Sequence, residues 1–266
     1  NRNSIGVDLN PIATLVAKVK ATPIDSQILQ SIYHIFADIE QDIVAYYEGQ
    51  SPKMPYQLPT FHNRDHWFQT NMLSELAIIK AHIQKIRHQD LKDFLLCAFS
   101  AIIVKISNQE SDTRFAAKNK SHLPKTAVNE FKRKVLAMQK RLLEYNSFAS
   151  NASVDIFNKN AQNLSFLADN SIDHIVTSPP YANTYDYYLY HKFRMYWLDY
   201  DVNKVRNEEI GSRNKHSSQK KDIYNFTNSL QQCMKECNRV LKPQKFAVVV
   251  IGCLLYTSPS PRDIGE

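Results

Sequence analysis

Ser171-Ile172-Asp173-His174-Ile175-Val176-Thr177-Ser178-Pro179-Pro180-Tyr181 is the stretch from which the rest of the chain can be ordered. Ile172 to Thr177 is rich in β-branched residues and reads as a short buried-type strand. The strand then stops abruptly. Pro179 and Pro180 fix φ and offer no N–H, and Pro179 also restricts Ser178 before it. The result is a rigid shelf at the carboxyl end of a strand, where open α/β sheets bind their ligands. Its backbone carbonyls are free to accept hydrogen bonds, Ser178 adds a side-chain acceptor and Tyr181 adds a flat face. Such a corner suits an exocyclic amino group on a base. That nitrogen is a poor nucleophile, because its lone pair is delocalised into the ring. Acceptors on both N–H groups draw it toward tetrahedral geometry and release the lone pair.

Working outward, residues 5–8, 154–157 and 246–252 read as further strands. Helices are expected at 11–20, 185–198 and 223–241, with Pro11 suited to a first helical turn. Strands alternating with helices over 1–22 and 151–252 predict an α/β fold with a parallel sheet. Residues 23–150 have another texture. Helical periodicity runs through 24–47, 67–86, 91–106 and 128–145, with Pro52, Pro55 and Pro59 between the first two. No strand-like alternation is visible there, so this segment reads as a helical insertion between two sheet strands.

The chain has 266 residues, 43% apolar and 22% charged, which excludes a disordered or membrane-embedded protein. No run approaches the ~18 apolar residues of a membrane span, and no cleavable leader is recognisable. Lys and Arg number 33 against 26 Asp and Glu, a net charge of +7 that favours a polyanionic partner. Two stretches concentrate it: 105–141 with ten Lys/Arg against three Asp/Glu, and 192–245 with twelve against six. Five scattered glycines build no Gly-rich phosphate loop. Four scattered cysteines build no disulfide framework and fit a reducing cytoplasm. No metal is expected. His62, Asp65 and His66 have no supporting ligand cluster, and Cys233 and Cys237 read as packing residues.

Residues 177–181 resemble the catalytic motif of the amino-group DNA methyltransferases, which use S-adenosylmethionine. The Thr-Ser-Pro-Pro-Tyr form is the one associated with N4-cytosine enzymes, and Asp-Pro-Pro-Tyr is more typical of N6-adenine enzymes. Gly6-Val7-Asp8-Leu9-Asn10-Pro11 resembles the family's second sheet strand, whose acid holds the cofactor ribose; Asp8 matches that acid, with Asn10 beside it. Asn160-Ala161-Gln162-Asn163-Leu164 resembles the segment flanking the cofactor adenine, although the family usually has Asp where this chain has Asn160. Val240-Leu241-Lys242-Pro243 resembles the turn into a later strand. The resemblance covers 1–22 and 151–252 and implies a partial Rossmann-like class I methyltransferase sheet carrying a large helical insertion at 23–150, the candidate for target recognition.

The resemblance also implies roles. Ser178, Pro179, Pro180 and Tyr181 form the catalytic shelf. Asp8, Asn10, Asn160, Ala161 and Thr177 hold the cofactor. Beside the resemblance, Tyr185 and Asp186, nearest the shelf, read as contacts to the target base, with capping of the next helix the other reading of Asp186, and Arg213 and Lys215 lie in a polar, basic loop that reads either as contacting DNA phosphates or as solvated. Nine of the chain's 29 aromatics fall within 181–200; of these, Phe193 and Trp197 read as helix residues packing on the sheet rather than as a wall for a flipped base. The partners implied are duplex DNA with a flipped base and, in a restriction-modification setting, a cognate endonuclease, in a prokaryotic or phage context. The competing readings are an N6-adenine or RNA methyltransferase, a protein-amide methyltransferase, and a decayed DNA-binding module without catalysis.

Both ends read as boundaries. The chain opens without Met directly before a strand, so the first strand and Gly-rich loop of the family are expected to precede Asn1. Residues 253–266 resemble the translation of a sequencing adaptor. Without that loop, residues 1–252 alone are expected to bind little cofactor and to be inactive.

Overall fold

The computed structural model describes residues 2–147, 152–181, 186–211 and 222–251. By contact the chain forms two compact units, Asn1–Asn158 with Tyr188–Asn207, and Lys159–Tyr187 with Glu208–Glu266. The described strands form two parallel pairs and one antiparallel hairpin, a mixed α/β arrangement.

In the first unit, β1 (Ser4–Asp8) pairs in parallel with β4 (Val154–Asn158), placing Gly6 opposite Ile156 and Asp8 opposite Asn158. A Cβ at Gly6 would lie 2.7 Å from Ile156 Cδ1, so glycine makes room for its cross-strand neighbour. Helix α1 (Pro11–Ala21) follows at once, with Lys18 and Lys20 in its last turn where cations suit the helix dipole.

Helices α2 (Ser26–Gln30), α3 (Ile32–Tyr47), α4 (Arg64–Trp67), α5 (Thr70–Gln84), α6 (Gln89–Ile106) and α7 (Thr126–Asn146) fill the expected insertion. Their apolar faces meet in one core that includes Ile39, Ile43, Met72, Leu76, Leu95, Phe99, Ile103 and Phe131. The single helix expected over 24–47 is interrupted at Ser31. Its hydroxyl and its N–H both bond the Ile28 carbonyl, at 2.6 and 3.1 Å, a local alternative to continuing the helix. The helix expected over 67–86 is likewise divided. Phe68 leaves helical geometry at φ −140° and drops into the core.

The expectation of no strand in the insertion is corrected by a hairpin of β2 (Gln109–Ser111) and β3 (Arg114–Ala117). Strands of three and four residues are too short to show alternation in a sequence. A lysine organises this corner: Lys120 Nζ donates to the carbonyls of Val104 at 2.9 Å and Gln109 at 2.6 Å.

Glu75 is fully buried on α5 and caps another helix. Its carboxylate accepts from the amides of Lys125 (2.6 Å) and Ala127 (2.9 Å) at the start of α7, and from the Tyr47 hydroxyl (2.5 Å). Asp42, equally buried on α3, accepts from the amides of Lys53 (2.7 Å) and Met54 (2.8 Å) and bonds His82 Nε2 at 2.9 Å.

Helix α8 (Tyr187–Trp197) and helix α9 (Val202–Glu208) follow later in the chain. Phe193 and Trp197 are buried, but against the helical segment rather than the sheet expected for them. Phe193 meets Phe68 and Phe115 at ring separations of 5.5 and 5.4 Å, and Trp197 meets Phe99 at 5.8 Å. The aromatics that match them all come from residues 61–115.

In the second unit, β5 (Ile172–Thr177) pairs in parallel with β6 (Leu241–Val249), and α10 (Asp222–Val240) runs straight into β6. β6 starts earlier than 246. Leu241 pairs with Ile172 and Phe246 with His174, so the Lys-Pro turn becomes a bulge inside the pairing, with Gln244 at φ 61°. Val176, Phe246, Val248 and Val250 are solvent-exposed. Among the described residues, no helix is long and apolar enough to cross a membrane.

Candidate active site

The first site element lies at the carboxyl end of β1. The Asn10 N–H donates to Asp8 Oδ1 at 2.7 Å, and Asn10 Oδ1 accepts the Ile12 N–H at 2.9 Å. One short turn thus bends the chain from strand into helix and caps α1. Asn10, expected to face a cofactor, has its side-chain oxygen engaged as this cap. Asp8 keeps its Oδ2 without a partner among the described residues. Neighbouring protein crowds the carboxyl and pushes its pKa up; the Asn10 N–H works in the opposite direction. The residue is solvent-exposed, so the unused oxygen is open to accept from ligand hydroxyls. Asn158, not singled out in the sequence, holds this corner. Its Nδ2 donates to the carbonyls of Asp8 (3.0 Å) and Leu9 (2.8 Å).

The second element is the shelf after β5. The Thr177 carbonyl accepts the Val250 N–H at 2.9 Å, so it belongs to the sheet rather than to a ligand. Beyond it, the carbonyls of Ser178, Pro179 and Pro180 and the Ser178 hydroxyl have no hydrogen-bond partner among the described residues. Ser178 is exposed, and the two prolines and Tyr181 are half-buried. The shelf thus stands at the carboxyl end of a parallel strand with its acceptors open. Gly211 backs it. A Cβ there would lie 3.0 Å from the Tyr181 carbonyl oxygen and 3.3 Å from the Phe226 ring, and Gly211 has φ +79°.

The third element is the segment between β4 and β5. Asn160 is turned inward. Its Oδ1 accepts the Gln162 N–H at 2.9 Å and its Nδ2 donates to Gln162 Oε1 at 3.2 Å. Ala161, next in the chain, is half-buried. Arg239, near the end of α10, ties this segment down by donating to the carbonyls of Leu164 (2.8 Å) and Leu167 (3.0 Å) and to Asp169 (2.5 Å). Glu236 accepts the Leu164 N–H at 2.6 Å.

Asp186 is buried immediately before α8. Tyr185, Arg213 and Lys215 lie outside the described residues.

Residues 172–254 match the family model described as DNA methylase, a span that contains β5, the shelf and β6. The chain is also similar to the Type II methyltransferase M.MvaI of Kocuria varians, at 24% identity over 294 residues. That alignment covers 93% of this chain, which spans 64% of the relative's length. No solved structure gives a significant match. The two matches support the resemblance to the amino-group DNA methyltransferases.

Proposed function

We propose that the protein transfers a methyl group from S-adenosylmethionine to an exocyclic amino group of a DNA base, N4 of cytosine being the target that Thr-Ser-Pro-Pro-Tyr favours. The observation carrying this reading is the rigid shelf at the end of β5, with open acceptors at 178–180 and a half-buried aromatic beside them. The Ser178 hydroxyl and the shelf carbonyls accept from the amino group and orient its lone pair; the Tyr181 ring stacks on the base. The base leaves the duplex at a cost of a few kcal/mol, and stacking returns about 1–3 kcal/mol. S-adenosylmethionine supplies a methyl on a sulfonium, an electrophile that needs positioning more than base catalysis. Asp8 fits its ribose hydroxyls through the unused Oδ2, with Thr177 and 160–161 as further cofactor contacts.

Within this reading, 1–22 and 151–252 belong to a Rossmann-like class I methyltransferase domain. Residues 23–150 read the target, and Tyr185, Asp186, Arg213 and Lys215 face base and backbone. The setting is a prokaryotic or phage-infected cytoplasm, alone or beside a cognate endonuclease.

The test uses the product of the complete gene with methyl-labelled S-adenosylmethionine and duplex DNA. Label on N4 of cytosine is expected. Label on N6 of adenine would redirect the base assignment, and label on a ring carbon, or none, would remove the reading. Ser178→Ala and Tyr181→Ala should abolish transfer with the fold intact. Asp8→Asn should raise the cofactor KM about tenfold with a smaller effect on kcat, the scale of one charged hydrogen bond.

A further inference from the structure

Along α8, Tyr188, Lys192 and Tyr196 stand four residues apart on one face of the helix. Lys192 Nζ sits 5.8 Å from the Tyr196 ring centre and 5.9 Å from that of Phe115, between two aromatic faces. The Arg206 guanidinium, from α9, lies 5.8 Å from the Tyr188 ring centre. Phe61 stacks on Tyr196 at 4.8 Å with an interplanar angle of 3°, which fixes that ring. Two cations are thus held on rigid aromatic supports along one stripe.

Neither cation has an acidic partner among the described residues. Around α8 and α9, Asp112 pairs with Arg194, Asp199 with Lys80 at 2.7 Å, and Asp201 accepts the Lys204 amide at 2.9 Å. Contact with an aromatic face orients a cation without neutralising it. Burial and then the Arg206 charge both push the Lys192 ammonium's pKa down. Two cations on neighbouring helices without an acidic partner favour an anionic ligand. In sequence, Lys192 follows the shelf residue Tyr181 by eleven positions.

We propose that Lys192 and Arg206 form a clamp for a backbone phosphate of the substrate DNA, positioning the duplex without reading its sequence. This rests on the methyltransferase reading above. Phosphate contacts fix register and contribute a salt-dependent, sequence-independent share of affinity.

The test measures duplex binding by anisotropy across a salt series, using the complete gene product, Lys192→Gln, Arg206→Gln and the double variant. Each single substitution should weaken binding several-fold for every duplex and lower the log–log salt slope by about 0.9. In transfer assays the KM for DNA should rise by a similar factor, with a smaller change in kcat. Lys192→Arg and Arg206→Lys should retain the slope. Arg206 is exposed, so Arg206→Gln carries the test even if removing Lys192 from its rings disturbs packing. An unchanged slope in Arg206→Gln and in the double variant, with wild-type transfer intact, overturns the clamp and leaves the methyltransferase standing. A wild-type protein that neither binds DNA nor transfers methyl overturns the underlying reading instead.

Discussion

Arg239 grips Glu236 in a two-pronged ion pair at 2.9 Å on each arm, one turn back along α10, and from that braced position reaches the loop ahead of β5. The pair works as one device. Glu236 aims the guanidinium and itself accepts the Leu164 amide, while Arg239 collects two carbonyls of the same loop. A bidentate guanidinium–carboxylate pair is geometrically specific in a way a lysine cannot copy.

Arg239→Lys should therefore behave nearly like Arg239→Ala. Both variants should lose hydrogen-exchange protection at the Leu164 and Leu167 amides while β5 and β6 stay protected. If the lysine variant keeps wild-type protection, the fork geometry is irrelevant and a point charge suffices.

The same pair sets an acid limit. Hydrogen bonding from Arg239, then from the Leu164 amide, holds the Glu236 carboxyl at about 2, below its ordinary 4.5. A depressed acid contributes stability that is complete above the ordinary value and is lost as pH falls toward the native one. Loop protection, corrected for intrinsic exchange, should decline between pH 4.5 and about 2 in the wild type. Glu236→Gln should start lower and show no such decline.

Gly211→Ala should destabilise the second unit by about 1–2 kcal/mol, the cost of a side chain in left-handed backbone. The added methyl also falls 3.0 Å from the Tyr181 carbonyl, so the shelf must shift. Urea denaturation measures the first effect. The second should appear as a loss of methyl transfer larger than the unfolded fraction explains. A stable variant with normal transfer would show that Gly211 has no part in supporting the shelf.

Asp42→Ala should cost the helical core about 3 kcal/mol, because two amides and a histidine nitrogen lose a buried acceptor. Burial acts to raise the Asp42 pKa, but the amides of Met54 and Lys53 and the bond to His82 outweigh it and hold it below 3.8. Its contribution is present above that value and is lost as pH falls below it. Thermal unfolding of Asp42→Asn against wild type should accordingly show a difference that narrows in acid.

What the sequence disclosed and what it hid divide along a physical line. The strand-and-proline run at 171–181, the Asn10-Pro11 helix start and most helix spans rest on interactions within a few residues, and they are where the sequence placed them. Asn158 under Asp8, Glu75 at the head of α7 and Arg239 over the 164–169 loop join positions about 50 to 150 residues apart, and their side chains carry no local mark. The Glu236-Arg239 spacing was a readable hint of a helical ion pair, but nothing in it named the loop it serves. The bulge at 242–245 reads as a turn in the sequence because Lys-Pro signals a turn in either setting. At the site, the shelf was legible because prolines write their backbone into the sequence. The engaged side-chain oxygens of Asn10 and Asn160 were not, since an asparagine looks the same whether it caps its own turn or waits for a ligand.

Glu75 carries a further consequence. Most helices announce their own beginning with a residue next to the first turn; here that role belongs to a carboxylate on α5, and Lys125 at the boundary offers no side-chain cap. The origin of α7 is thus borrowed from a neighbour. Excised as a peptide, 126–146 would lose this carboxylate and fray from its amino end, whereas in the whole chain α5 secures its first turn.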